Sequence, residues 1–341
     1  MKFRLNYRVI ASMTCGILIA ILSLCIPVAS GSTMSIDKNA PASLSQVLEA
    51  VDAARHSNSV PSKLSPSLQN VSTGDGFSMV GSRGCEPSYA QTSIKISNCI
   101  FGDAKGKHTL LILGDSHAAM WLPALNLIGD RLKWRIIDLD KVNCGAADIT
   151  YYLHQEGRAY TECNAWHQWA FTEINKLDPS VVVLTSLLDP YIAPPGSNFG
   201  PSAWTVGLEK SLNLITSNGT KKVVLGDIPY LVPAGQPQDA YSNTTPADCV
   251  AAHEQDLSRC SLPEQVAVFT AYHQAEQTAA SASGATYINV IPWFCSSVCT
   301  PIIHNLVVYE NTQHITGPYA EWLSGVLQGA LSAAMKTPTA K

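Results

Sequence analysis

The chain has 341 residues, 46% of them hydrophobic and 14% charged, with a formal net charge of −4. That length builds one good-sized core with at most a small appendage. The charge is mildly acidic and no Lys/Arg run lies beyond the N-terminus, so nucleic-acid binding has no support.

In chain order, the first eight residues, MKFRLNYR, carry Lys2, Arg4 and Arg8 and no acid. The apolar run VIASMTCGILIAILSLCIPVAS follows, about as long as the ~20 residues a membrane-spanning helix needs. Residues 1–30 therefore read as a signal peptide, with small residues Val28-Ala29-Ser30 for cleavage, or as an uncleaved signal anchor. The basic flank stays inside, so everything after it is expected outside the cytoplasm, secreted or anchored, meeting the membrane only through this segment. Residues 31–83 are rich in Ser, Asn and Pro and contain one amphipathic piece, SLSQVLEAVDAARHS. This region reads as a stalk with a short helix, or as a helix packed on the domain that follows.

From residue 84 to 335 the pattern changes. Short apolar runs predict strands over 108–115, 134–140, 180–186, 221–227 and 286–292. Helical stretches alternate with them, over 118–131, 160–176, 204–217, 264–282 and 317–335. Five such alternations predict an α/β fold: a three-layer α/β/α sandwich around a parallel sheet of about five strands. Residues 336–341 are a tail. Cys15 and Cys25 lie in the apolar segment; the other eight cysteines suit disulfides in an exported chain. They fall as sequence neighbours, 85/99, 144/163, 249/260 and 295/299, and local pairing is the simplest hypothesis. Eight cysteines allow many pairings, and the rival is a metal site, with which only the 295/299 gap is loosely compatible.

In open parallel sheets, sites form beyond the carboxyl ends of the strands. Asp115, Ser116, His117, Asp138, Asp140, Thr185, Ser186 and Asp227 fall there. Most read as loop polars that cap helices or bind turn amides, and Asp227, in GDIPY, as an acid that ends a strand. Ser116 sits where strand becomes helix. Backbone N–H groups at such a point favour negative charge and can hold an oxyanion. On these residues alone an ordinary helix cap, Ser116 or Asp115, is the favoured reading. His314, just ahead of the last helix, shifts the balance, because a serine nucleophile needs a base and the two chain positions can meet at one sheet edge.

GDSH at 114–117 with HIT at 314–316 resembles the SGNH (GDSL-like) hydrolase superfamily. Residues from about 42 to 333 resemble more closely the SGNH domain of acyltransferase-3 proteins. The similar features are SLSQVLEAVDAAR with VPSKLSPSL, GC at 84–85, CIFGD at 99–103, LLILGDSHAAMWLPAL, the cysteines 144/163, 249/260 and 295/299, and HIT. The resemblance implies O-acylation, most simply O-acetylation, or ester hydrolysis on cell-envelope glycan through a serine acyl-enzyme. Ser116 matches the nucleophile and His314 the base. The usual acid, three residues before that histidine, is Asn311 here, with Glu310 one residue off as a substitute. The Ser116 amide, Gly145 and Asn143 are the oxyanion candidates, the last two by position only. The third predicted strand ends TSLLDPY, without the family's Asn. The expected partners are an acyl donor and a glycan acceptor. A membrane acyltransferase joins them, since only one apolar segment stands where the usual fusion would be. Two other readings remain: a small-ester or lipid esterase of the superfamily, and a catalytically dead module that binds glycan or docks on an acyltransferase. No cofactor and no metal are expected; His154, His167, His253 and His273 lack ligand spacing. His117 reads as structural, and Trp121, Tyr191 and Trp293 as core residues or sugar-stacking platforms.

Overall fold

The computed structural model describes residues 41–72, 75–189, 192–232 and 245–336. The signal segment, Tyr191 and the tail after 336 lie outside these residues. Among the described residues no helix is long and apolar enough to cross a membrane.

One sheet organises the chain. Its strands are β1 (Ile100–Gly102), β2 (His108–Gly114), β3 (Trp134–Asp140), β4 (Val181–Leu184), β5 (Lys221–Leu225) and β6 (Thr286–Ile288). The order across the sheet is β1-β3-β2-β4-β5-β6. The five strands expected from apolar runs are all present and pair in parallel. Leu110, Leu111 and Ile112 are fully buried in succession, as a strand covered on both faces requires. β1 was not expected. It pairs antiparallel with β3, Ile100 against Ile137, and turns the parallel sheet into a mixed one of six strands. Three residues carry no periodicity to read.

The principal helices are α1 (Leu44–Ala54), α2 (Gly76–Gly81), α3 (Ser116–Ala119), α4 (Leu122–Leu132), α5 (Thr161–Leu177), α6 (Pro201–Leu214), α7 (Thr270–Ala282), α8 (Gly317–Trp322) and α9 (Ser324–Met335). Three expected helices are interrupted: α3 and α4 share one, α8 and α9 another, and 264–282 breaks after Ala267. α1 opens on a capping box between Ser43 and Gln46 and buries Val47, Val51 and Ala54 at helical spacing. That face packs on residues 291–293, Ile302–Ile303 and α9, so this piece of the 31–83 region is a helix on the domain and not a free stalk. The local cysteine pairs are bridged, Cys85–Cys99, Cys144–Cys163, Cys249–Cys260 and Cys295–Cys299.

The strand order places the site. β2 runs next to β3 on one side and β4 on the other, so the winding reverses at the carboxyl end of β2, where a crevice opens. Gly114 closes that strand. A Cβ there would stand 2.2 Å from the Thr185 carbonyl oxygen, so only glycine lets the two strand ends come this close.

Candidate active site

Asp115 follows Gly114 and is the N-cap of α3; its carboxylate accepts the His117 N–H at 2.9 Å and the Leu187 N–H at 3.0 Å. The cap is therefore the aspartate, which leaves the serine hydroxyl for other work. Ser116 is the first residue of α3, and among the described residues its N–H meets no protein acceptor. It is part-exposed where its neighbours from Gly114 to Trp121 are buried.

His314 reaches it from the other end of the fold. Nε2 lies 2.9 Å from Ser116 Oγ, across 198 residues of chain. The loop that carries the histidine is tied by the Glu310 N–H to the His314 carbonyl, and Thr316 caps α8 directly after it. The Phe77 ring, from α2, stands edge-on to the imidazole at 4.8 Å. Burial first, then the neighbouring His117, pushes the His314 pKa well below the ordinary imidazole value, so the ring is kept neutral as a base must be.

Behind the imidazole, Nδ1 lies 3.1 Å from Asn311 Oδ1 and 2.9 Å from Asn311 Nδ2. Oδ1 also accepts the N–H groups of Gln313 and His314, both at 3.0 Å, which fixes the amide's orientation. Asn311 thus serves either tautomer. When Nδ1 carries the proton it donates to Oδ1 and frees Nε2 as the base; when it does not, Nδ2–H donates to it. An aspartate would permit the first alone. Glu310 does not take the acid's place. Its carboxyl turns to Asp75, the N-cap of α2, and burial followed by that hydrogen bond pushes its pKa up to about 8.

The oxyanion candidates sit in the loop after β3. Asn143 has φ +52° and donates its side-chain N–H to the Tyr89 hydroxyl at 3.0 Å. A Cβ on Gly145 would stand 2.7 Å from the Tyr151 hydroxyl and 2.9 Å from Ser186 Oγ. The loop is held by the Cys144–Cys163 bridge, by His167 Nε2–H donating to the Gly145 carbonyl at 2.8 Å, and by the Ala146 N–H on Ser186 Oγ at 2.7 Å. A cavity of about 310 Å³ lies beside it, lined by Asn143, Tyr152, His154, Gln155, Leu187 and Ile192 among others. Leu187 is the residue whose amide Asp115 holds, so the cavity wall begins next to the serine turn.

Sequence reasoning passed over three features. Phe77 and Asp75 come from ahead of the sheet and still meet the His314 loop. Asp227 does more than end a strand: it accepts His117 Nδ1–H at 2.5 Å, the Tyr230 hydroxyl at 2.5 Å, and the N–H groups of Leu188 and Ile228. Asp138 and Asp140 are fully buried at the end of β3 and cap no helix. Burial pushes Asp138 up to about 6, against the pull of its Asp140 contact, and burial and the Asp138 charge push Asp140 well above the carboxylate range. Only the "GD" that opens GDIPY hinted at the second of these, Asp227. Trp121 and Trp293 are core residues packed edge to face at 6.1 Å.

The family model for the SGNH domain fused to AT3 domains matches residues 84–329. No curated protein matches the sequence. Among solved structures, the periplasmic domain of a lipopolysaccharide acetyltransferase from Salmonella ser. Paratyphi A is similar at 16% identity, over 77% of this chain and 97% of that one, with a TM-score of 0.53. An acylhydrolase described as putative, from Bacteroides fragilis, matches at 10% identity over 69% and 91% of the two chains, with a TM-score of 0.43. At these identities the structural likeness concerns the fold alone. With the turn at Ser116, the late histidine and the strand order in place, the match over 84–329 identifies the chain: it belongs to the family of SGNH domains fused to AT3 domains.

Proposed function

We propose that this protein is an exported serine-dependent O-acyltransferase or esterase, acting on acyl esters, most simply acetyl, of cell-envelope glycan. Family membership supports an acyl-group chemistry in general. The observation that carries the finer reading is the 2.9 Å contact between Ser116 Oγ and His314 Nε2. Ser116 Oγ attacks the ester carbonyl while its proton passes to His314 Nε2. The tetrahedral oxyanion is held by the Ser116 N–H, with the Asn143–Gly145 loop as the second side. Collapse breaks the acyl–oxygen bond, and the leaving alcohol takes the proton from the imidazolium. A sugar hydroxyl or water then attacks the acyl-serine, giving its proton to the same nitrogen; the acyl–Oγ bond breaks, Ser116 Oγ takes that proton back from the imidazolium, and the new ester or free acid leaves. The 310 Å³ cavity, lined by the polar Asn143, His154, Gln155 and Asp189, by the Tyr152 ring and by the apolar Leu187 and Ile192, suits one sugar ring or a short acyl chain. Four disulfides and the family support an extracytoplasmic setting.

A second reading has one specific support. Asn311 Nδ2–H also stands within donating distance of His314 Nδ1, and the tautomer it would favour leaves Nε2 protonated and without a base's lone pair. A site locked there is a binding module for glycan or for a membrane acyltransferase. Turnover of a chromogenic acetyl ester separates the two: the catalytic reading expects turnover that Ser116→Ala and His314→Ala abolish, and the module expects none from wild type.

A further inference from the structure

The catalytic reading leaves one buried polar group unused. His117, on α3 one residue after the nucleophile, has no exposed surface, and its ring centroid lies 4.9 Å from that of His314. Its Nδ1–H points at Asp227, whose two oxygens collect four donors: His117, Tyr230, Leu188 N–H and Ile228 N–H. Its Nε2 is buried with no partner among the described residues. A buried carboxylate and imidazole this completely built are poor value for stability, since apolar residues of the same volume serve as well. Beside them, the base has an amide at its back where the acid of a triad would stand.

Resting on the Ser116–His314 reading, we propose that Asp227, held through His117, supplies the negative charge that Asn311 does not, and so stabilises the His314 imidazolium as the serine is deprotonated. In this arrangement the site works at pH above the raised His117 pKa, where His117 is neutral and its charge no longer opposes that of His314. The unpartnered Nε2 of His117 agrees, because an N–H there would be buried with nothing to receive it. The groups facing His117 are Asp115 before its own helix, Asp189 after β4, Asp227 and Tyr230 after β5, and His314 before α8. Burial pulls the His117 pKa down, but Asp227 foremost, then Asp115 and Asp189, outweigh it and raise it above the ordinary value. Protonation of His117 as pH falls cancels the Asp227 charge and sets the acid limb of activity. Asp227 and His117 are positioning residues; neither touches the reacting ester.

The test is the second-order rate of Ser116 labelling by a fluorophosphonate, measured from pH 4 to 9 with a melting temperature for each variant. Asp227→Asn is expected to lower the plateau rate about 10- to 100-fold in the native background, and less than about 3-fold on top of Asn311→Asp, where a direct carboxylate replaces it. His117→Gln is expected to move the acid limb to lower pH, because the limb then reports His314 alone. Equal losses from Asp227→Asn in both backgrounds, or no loss in either, overturn the proposal. Should Asp227→Asn fail to fold, an acid limb unmoved by His117→Gln overturns it. Ser116→Ala runs alongside: label retained there breaks the Ser–His reading itself, whereas label lost there with Asp227→Asn like wild type breaks this inference only.

Discussion

Two histidines lie side by side in the site, and the chain equips them in opposite ways. His314 has the reacting partner, Ser116 Oγ at 2.9 Å, and only an amide behind it. His117 has the carboxylate, Asp227 at 2.5 Å, and nothing to react with. Burial and the neighbouring imidazole drive His314 down, while Asp227 lifts His117 against the same burial. Two imidazoles this close accept one proton far more readily than two, so their charges belong to the pair. The contrast teaches that the histidine in contact with Ser116 and the carboxylate nearest to the pair stand on different elements, the loop before α8 and the loop after β5.

The sharpest way to break the comparison is to remove its reactive half. Ser116→Ala or His314→Ala is expected to lower acetyl-ester turnover about 10³- to 10⁶-fold, read as kcat/KM. Next in size is restoring the acid. Asn311→Asp keeps the shape, enforces the Nδ1–H tautomer and stabilises the imidazolium, so kcat is expected to rise at least about 10-fold, towards the ~10⁴ that a triad acid can supply. A fall in kcat with an unchanged melting temperature would mean that the amide is the better partner here.

The cysteine bridge behind the Asn143–Gly145 loop gives a smaller effect, on stability first. Replacing Cys144 and Cys163 by serine frees a loop with a sequence separation of 19 and is expected to destabilise the fold by about 3 kcal/mol in urea melts. It also loosens the loop proposed to face the oxyanion, so activity is expected to fall more than at the Cys249–Cys260 bridge, which packs in a separate small cluster with Val250, Leu257 and Ile302. The smallest expected effect is at Glu310. Its folded pKa, about 8, lies above the unfolded value, so the folded chain keeps a proton that the unfolded chain has already lost. That stability is full below about pH 4.5 and is lost as pH rises through 8. Glu310→Gln is therefore expected to melt with wild type at pH 4 and above it at pH 9.

Much of this was legible in the sequence. Short continuous runs such as LLIL and VVVL, set between turn residues and alternating with helical stretches, read as strands covered on both faces, and the positions of Ser116 and His314 follow from a strand end and a helix start. β1 was not legible, since three residues paired through a neighbour leave no pattern. The His117–Asp227 pair was not legible either. It joins residues 110 apart through the register of β2, β4 and β5, and GDIPY by itself is an ordinary strand end. The same holds for Phe77 and Asp75, which lie outside any periodic run and reach the site only because α2 packs on α3 and α4.

The central claim is that Ser116 is a nucleophile with a competent base, and the most direct measurement is covalent labelling by a fluorophosphonate followed by peptide mass spectrometry. One adduct per chain on the peptide carrying Ser116, absent in Ser116→Ala and strongly slowed in His314→Ala, is the result expected. No adduct on wild-type protein with an intact melting transition, or an adduct that survives Ser116→Ala, would contradict it.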